Sequence, residues 1–357
     1  MARRRRAGVW RWIGRVGLAI VVLVVLVIAG GAGYEQWARS TARTRFPPPG
    51  RLVDVGGGRR IHIDCRGQGG PTVVLISGLD NNGALAWSAV RDRISSFARV
   101  CAYDRAGIMY SDPAPAPHDA RLSTADLHAA LAGAGERGPF VMVGHSLGGP
   151  YIDDYVHSYP ADVAGIVFVD ASHPDQIKAF EALGLTKLAA KATQTEHLMA
   201  SLTWTGWTRL PILNLSGSGM PKAAADNSQA FQSQSLPAVI DELESLPRTL
   251  DQAGTVRATG PHPFGDRPLV VLTALKPNPP AVVKAMGMTD AQAAQQRRIW
   301  TGLHDDEARW STHSRHQLVT DATHYIQFDR PDVVIAAVRE VVGSVRGQAS
   351  SPAPAPR

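Results

Sequence analysis

The stretch FVMVGHSLGG, residues 140–149, constrains the fold more than any other part of the chain. Its first four residues are apolar and indicate a buried strand, whereas the residues after it are typical of a helix. Gly144, Ser146 and Gly148 lie in between, where a strand that turns directly into a helix leaves little space for Cβ atoms. Such a turn strains Ser146 and exposes its hydroxyl group. The alternative is an ordinary glycine-rich turn at the end of a strand.

Short apolar segments alternate with helical stretches along the rest of the chain. RLVDV and RRIHIDC flank the glycines at 56–58, which indicates a hairpin. LSTADLHAALAGAG opens with a helix-capping signal, and RPDVVIAAVREVV has helical apolar spacing. A hairpin followed by strand–helix units predicts a mostly parallel, doubly wound α/β sheet. Its further strands are TVVLISG, ARVCAYD, FVMVG, GIVFVD, PLVVLTA and HQLVTDA.

One span does not fit this alternation. Residues 174–263 separate two strands and are too many for a simple crossover. They predict an inserted, largely helical lid that contains Trp204 and Trp207. The main domain is expected to cover residues 51–345, and the Pro/Ala-rich residues 346–357 are expected to form a disordered tail.

The positive charge of the chain is concentrated at its start. The net charge is +6, and residues 1–15 carry six arginines, at positions 3, 4, 5, 6, 11 and 15. The remaining 31 basic and 31 acidic residues balance. A nucleic-acid partner is therefore not expected, because such a partner requires a basic face on the folded domain.

An uncharged apolar segment follows the arginines. It runs from Val16 to Gly33, about 27 Å of helix, and aromatic residues flank both ends. We predict a cytoplasmic basic segment at 1–15, a transmembrane anchor at 16–37 and a domain outside the cytoplasm. Ala29 and Gly31 also fit a cleavage site, so the alternative is a signal peptide and a secreted protein. Residues 38–50, which end in three prolines and a glycine, are predicted to be an extended linker.

Five motifs in this order resemble the α/β-hydrolase family: SGLDNNG, CAYDRAGIMYSD, GHSLGG, VDASHP and ATHYIQFDRPD. The likeness covers residues 51–345 and is to serine hydrolases of the esterase and lipase type, in particular exported or membrane-anchored bacterial members. It implies that Ser146 is the nucleophile. Two positions depart from the family pattern. Ser77-Gly78 replaces His-Gly, and Met109 lies where many members have a glycine.

A serine nucleophile needs a base, and His324 is the best candidate. It follows the last strand, where the loops at the carboxyl ends of the strands form the working edge of such a sheet, and the family order also puts the base there. His145 is expected to point away, and His173 is the more serious rival. Other histidines, at 304, 313 and 316, are predicted to be solvated, as is the helical face from His304 to Glu307.

The sequence offers several candidates for the acid that orients the base. In the family it usually follows the seventh strand, but residues 270–287 contain no Asp or Glu. A smaller part of the family carries it after the sixth strand, which is Asp170 here. The alternatives are Asp305, Asp306 or a dyad supported by water.

The resemblance implies three further features. The backbone N–H groups of Leu79 and Leu147 occupy the oxyanion-hole positions. In this fold the strands that carry Cys65 and Cys101 are neighbours, so a disulfide is expected if the domain is exported. No cofactor and no metal are implied.

Taken together, these features predict a serine hydrolase that acts on a small-molecule carboxylic ester through an acyl-enzyme. Amide or peptide cleavage or peroxyacid formation on the same residues is one alternative. The other is a non-catalytic binding protein on the same scaffold. The oligomeric state is not encoded in any feature described above.

Overall fold

The computed structural model describes residues 2–181, 194–210, 219–285 and 287–350. Within these residues, eight strands form one sheet in the order β1-β2-β4-β3-β5-β6-β7-β8. Only β2 runs antiparallel to its neighbours, and the other pairs are parallel. The strands are β1 Arg51–Gly56, β2 Arg59–Arg66, β3 Val73–Ile76, β4 Val100–Tyr103, β5 Phe140–His145, β6 Val163–Val169, β7 Leu269–Ala274 and β8 Ser314–Val319.

The predicted doubly wound sheet is thus confirmed, and so is the glycine hairpin. Gly56, Gly57 and Gly58 all have positive φ angles between β1 and β2, a conformation that other residues adopt at a cost. Strands β3 to β6 are buried almost throughout, which explains why their sequences are continuous apolar runs.

Helices cover both faces of the sheet and bury two separate apolar layers. One layer lies under α3 and α4, and the other lies under α12, whose apolar stripe contacts β5, β6 and β7. The helices are α1 Ala2–Arg45, α2 Arg91–Ile94, α3 Ala120–Gly133, α4 Gly148–Ser158, α5 Gln176–Glu181, α6 194–201, α7 Lys222–Glu244, α8 Leu246–Arg257, α9 Pro280–Ala285, α10 Asp290–Glu307, α11 Ile326–Asp329 and α12 Pro331–Ser350.

The inserted lid is helical where the structure describes it. Helices α5, α6, α7 and α8 lie in it, together with short 3₁₀ turns at Thr203–Thr205 and Trp207–Arg209. Parts of the predicted lid, residues 182–193 and 211–218, lie outside the described residues. Pro237 lies inside α7, where it removes one N–H group from the helical hydrogen-bond ladder.

The predicted linker at 38–50 is wrong over most of its length. Helix α1 continues without a break from the apolar segment to Arg45, and only residues 46–50 lead into β1 in a non-helical conformation. The physical reason is tertiary contact. Ala42 is buried against the lid, and Glu35 is buried between two arginines. These contacts stabilise the helix beyond the apolar segment, which the local sequence does not reveal.

Two other predicted boundaries need correction. Helix α12 extends to Ser350, so residues 346–350 are not a disordered tail, whereas residues 351–357 lie outside the described residues. Val345 is buried, and Arg346 donates hydrogen bonds to the carbonyl groups of Gly70 and Phe97. Helix α3 starts before the predicted capping signal, because the Asp119 carboxylate caps it.

A disulfide joins Cys65 on β2 to Cys101 on β4. The two residues are directly paired in the antiparallel ladder between these strands. The bond therefore ties the N-terminal hairpin to the parallel part of the sheet, across a sequence separation of 36 residues.

We expect the double variant Cys65→Ala/Cys101→Ala to be less stable by about 4 kcal/mol, because the unfolded chain loses the constraint of that loop. Equilibrium unfolding in denaturant with and without a reducing agent measures the effect. The reductant should lower the unfolding free energy of the wild type and leave the double variant unchanged. Equal sensitivity of both proteins to the reductant would contradict the assignment.

Candidate active site

Ser146 occupies the sharp turn between β5 and α4. Its φ angle is 52°, a strained conformation for a residue other than glycine. Glycines make the turn possible. A Cβ atom at Gly144 would lie 2.7 Å from the backbone of Gly148, and one at Gly148 would overlap the carbonyl of Ile76. The serine is half-buried at the carboxyl edge of the sheet, as the sequence predicts.

Asp170 follows the last residue of β6 and is also held in a left-handed conformation, with φ 46°. Its Oδ1 accepts hydrogen bonds from the backbone N–H of Ala274 at 2.8 Å and from the Trp300 indole at 3.0 Å. Burial alone would raise the pKa of this carboxyl, but the hydrogen bond and the charge of His324 outweigh it. The pKa therefore lies below its usual value, and the group is ionised at neutral pH.

His324 lies in the loop between β8 and α11, with 42% of its side chain exposed. Its Nδ1 is 2.6 Å from Oδ2 of Asp170. The structure thus brings the predicted base and the predicted acid together in a direct hydrogen bond. The Nδ1 proton points at the carboxylate, which leaves Nε2 available as a proton acceptor.

His145 holds the backbone of this loop rather than serving the serine. Its Nε2 is 2.9 Å from the carbonyl oxygen of His324. Burial, and then the nearby His324, lower the pKa of His145 to about 3, so the ring is neutral and donates its Nε2 proton to that carbonyl.

The rival residues are engaged elsewhere. His173 is buried and contacts Asp306 through Nε2 at 3.3 Å. Asp306 also accepts hydrogen bonds from Trp310 and Arg309, and Asp305 lies 2.9 Å from His316. Neither of these two aspartates contacts His324 in the hydrogen bonds that the described residues make.

The predicted solvated face of α10 is wrong. His304 and Glu307 are completely buried, because this side of the helix packs against β7. His304 contacts the Ala171 carbonyl at 2.8 Å and the Thr273 hydroxyl at 2.6 Å. Burial lowers the pKa of His304 to about 4, so the ring is neutral and fills the space behind Asp170.

Sequence reasoning missed Trp300, which both contacts Asp170 and lines the site. No local motif marks this residue, since it lies on a helix 130 positions from its partner. Trp300 stacks against Phe180 of the lid, with 6.0 Å between the ring centroids. The sequence marks Trp300 only as an aromatic residue in a polar helical segment.

A cavity of about 420 Å³ opens above the three predicted residues. Its lining combines aromatic rings, amides and two basic side chains, so it suits a small molecule with both apolar and polar parts. The lining residues are Ser146, Asp170, Ser172, Gln176, Phe180, Ala274, Lys276, Asn278, Ala293, Gln296, Arg297, Trp300 and His324.

The two predicted oxyanion residues lie on segments next to Ser146. Leu147 follows it directly and is buried, and Leu79 follows Gly78, where a Cβ would lie 2.7 Å from the Ser146 Cβ. The loop at Gly78 therefore lies so close to Ser146 that a side chain at position 78 would collide with it.

Arg105 fixes this loop from behind. The guanidinium is buried and donates to the carbonyls of Ser77 and Gly78 at 2.7 and 2.6 Å. It also forms a bidentate ion pair with Glu242 of lid helix α7, at 2.6 and 2.8 Å. The unusual Ser77 belongs to this network, because its hydroxyl accepts a further hydrogen bond from Arg105.

Met109, the other departure from the family pattern, has a φ angle of 48°. A glycine would adopt this conformation without strain, which accounts for the usual residue there. Its N–H donates to the Ser235 hydroxyl of α7 at 2.9 Å, so the lid stabilises the strained residue.

Comparisons with known proteins identify the fold. A sequence profile of the α/β hydrolase fold matches residues 71–219. The chain has the α/β-hydrolase fold. A thermophilic esterase from Thermogutta terrifontis superimposes with a TM-score of 0.56 at 18% identity, covering 83% of this chain and 98% of the esterase. A putative epoxide hydrolase from Pseudomonas aeruginosa gives 0.59 at 18% identity, covering 84% and 98%.

The curated sequence relatives align with a smaller part of this chain than the solved structures do. An uncharacterised protein of Schizosaccharomyces pombe is 23% identical over 290 residues, which is 67% of this chain and 54% of the relative. The chain spans a little over half the length of this relative and of an uncharacterised protein of Bacillus subtilis. The comparisons therefore show the α/β-hydrolase fold, and the two solved structures, an esterase and a putative epoxide hydrolase, are each 18% identical to this chain.

The buried Arg105–Glu242 pair yields a stability prediction. Glu242→Gln leaves the guanidinium buried without its counter-charge, and we expect a loss of about 3 kcal/mol in unfolding free energy. Denaturant unfolding measures this loss. Glu340→Gln is the matched control, because Glu340 pairs with Arg315 at the exposed surface and should cost less than about 1 kcal/mol. Similar losses in both variants would contradict the structural role of Arg105.

Proposed function

We propose that this protein is a serine hydrolase that cleaves carboxylic esters through a covalent acyl-enzyme. The observation that carries the proposal is the 2.6 Å contact between His324 Nδ1 and Asp170 Oδ2, in a cavity that Ser146 also lines. A serine in a strained turn, a histidine that uses Nδ1 for the acid, and a buried carboxylate form the combination that acyl transfer requires.

In the first half-reaction, the Ser146 hydroxyl attacks the ester carbonyl while His324 Nε2 accepts its proton. The tetrahedral intermediate carries its negative charge on the former carbonyl oxygen, which the N–H groups of Leu79 and Leu147 stabilise. His324 then gives the proton to the departing alcohol, and the acyl group remains on the serine as an ester.

In the second half-reaction, His324 accepts a proton from water as the water oxygen attacks the acyl-enzyme. Collapse of the second intermediate releases the carboxylic acid and returns the proton to Ser146. Asp170 stays ionised throughout. It holds His324 in the tautomer with the proton on Nδ1 and stabilises the imidazolium in both steps.

The residue at position 146, in the turn between β5 and α4, separates this proposal from epoxide opening. Epoxide hydrolysis and dehalogenation on this fold use an aspartate as the attacking group, and position 146 is a serine. Amide or peptide cleavage and peroxyacid formation use the same three residues, so a panel of nitrophenyl esters, anilides and peroxide assays separates these chemistries. A non-catalytic binding protein would show none of them.

We propose further that α1 is retained as a membrane anchor, with the domain outside the cytoplasm. From Trp10 to Arg45 this helix is long and apolar enough to cross a membrane, by length and composition, and its apolar part is exposed. A signal sequence passes the same test. The retained anchor is favoured because the helix continues past the apolar segment and packs on the lid at Glu35 and Ala42.

The triad assignment predicts distinct outcomes for its members. Ser146→Ala should abolish labelling by a fluorophosphonate and hydrolysis of nitrophenyl esters. Asp170→Asn should retain the fold and lower kcat by roughly 10³–10⁴-fold, because the neutral amide no longer selects the tautomer. Asp306→Asn, the matched control, should remain near wild-type activity. Near-full turnover by Asp170→Asn would show that the acid is another residue, and unlabelled wild type would contradict the enzyme itself.

Trp300 is predicted to act through Asp170. Trp300→Phe keeps an aromatic ring but removes the N–H group that donates to Asp170. The negative charge of the Asp170 carboxylate is then less dispersed, which favours the protonated form of His324. We expect kcat to fall by about tenfold and the acidic limb of the pH–rate profile to move to higher pH. Trp310→Phe loses an indole donor to Asp306 instead and should leave the profile in place. A lower rate with an unmoved limb would assign Trp300 a packing role only.

A further inference from the structure

One segment of the lid carries most of the exposed apolar side chains of the folded domain. Outside α1, the described part of the chain exposes seven large apolar side chains, and five of them fall within residues 198–210. Clustering of this kind marks an interaction surface, whereas scattered exposed residues do not. We call these five residues the lid patch: Leu198, Met199, Leu202, Trp204 and Leu210.

The lid patch lies directly beside α1. A Cβ atom at Gly31 would overlap the carbonyl oxygen of Thr205, and one at Gly206 would lie 2.8 Å from the carbonyl oxygen of Gly31. The two backbones therefore touch, with glycine on each side of the contact. Trp204 is the residue before Thr205, so the lid patch includes a residue next to the point where the lid meets the helix.

Buried charges stabilise the contact between α1 and the lid. Glu35, one turn beyond Gly31, is 2% exposed and accepts from Arg39 of its own helix and from Arg209 of the lid. The Ser233 hydroxyl of α7 donates to the same carboxylate. Moving α1 away from the lid would take both Arg209 and Ser233 from this buried carboxylate, so the contact resists opening.

Arg39 also uses a gap in the lid helix. Pro237 has no N–H, so the carbonyl of Ser233 four residues earlier lacks its helical partner. Arg39 donates to that carbonyl at 3.3 Å. The proline in α7 and the arginine in α1 thus complement each other, and α1 keeps one direction relative to the domain.

We propose that the lid patch docks on the surface of the lipid bilayer, beside the point where α1 leaves it; this rests on the proposal that α1 spans the membrane. Gly31 lies two residues, or about 3 Å, inside the end of the uncharged segment Val16–Gly33. The lid turn that touches Gly31 is therefore at the level of the interface between acyl chains and headgroups. Leucine, methionine and tryptophan side chains suit that interface.

The bilayer is favoured over a protein partner because the patch continues the exposed apolar surface of α1. Tyr34 and Trp37 are exposed on α1 close to the contact, as interfacial aromatic residues are. Leu198 and Met199 lie on α6, and Leu202 directly follows the last residue of that helix. The contact at Gly31 holds the lid patch and α1 together, so a membrane that receives one also receives the other.

The test uses the full chain reconstituted in phosphatidylcholine vesicles. Both native cysteines are in the disulfide, so Leu202→Cys supplies one free thiol for a polarity-sensitive fluorophore. The matched control is Leu318→Cys, since Leu318 is 48% exposed and Leu202 is 41% exposed. We expect the label at 202, and not at 318, to show a blue-shifted emission and to lose intensity when the vesicles contain lipids with a nitroxide near the headgroup.

The other outcomes overturn the proposal. A water-like label at 202 means that the patch faces solvent. A blue-shifted label that the nitroxide lipids do not quench means that protein, such as a second copy of this chain, covers it. Carbonate extraction of the same vesicles reports separately on α1, and ester turnover reports separately on the hydrolase, so failure of either is distinguishable from failure of the docking surface.

Discussion

The turn at Ser146 demands three glycines, and the rest of the site is arranged around the space they leave. Gly144 and Gly148 let β5 pass directly into α4, and Gly78 lets the loop after β3 reach the serine. Side chains at any of these positions would push apart the strand, the helix and the loop after β3. The strain at Ser146 is stored because close packing on every side leaves no relaxed alternative.

Asp170 lies at the same edge of the sheet as Ser146, directly after the end of β6. Strand β7 ends without a carboxylate, and its Ala274 N–H instead donates to Asp170 at the end of the neighbouring strand. One strand thus supplies the charge and the next supplies a donor that stabilises it. His304 closes the site behind them as a neutral ring, so the carboxylate is buried without a competing cation.

The sequence predicts what is encoded locally and fails where distant segments meet. All eight strand regions and the Ser146 turn follow from runs and spacings along the chain. The pairing of Asp170 with His324, which are 154 residues apart, was inferred from the family resemblance and from the lack of an acid after the seventh strand. Trp300 and the Arg105–Glu242 pair could not be predicted, because their partners are 130 and 137 residues away and no motif links them. The extension of α1 to Arg45 was missed for the same reason, since lid contacts stabilise it.

Helix α7 connects these distant contacts. The Ser233 hydroxyl donates a hydrogen bond to Glu35 of α1, and Glu242 binds Arg105 behind the loop after β3. The two residues are nine positions apart, about 13 Å along one helix. Swinging this helix outwards would expose or unpair buried charge at both contacts, at a cost of several kcal/mol. Helices α5 and α10 line the cavity beside Ser146, and α7 holds α1 and the loop after β3 in fixed positions.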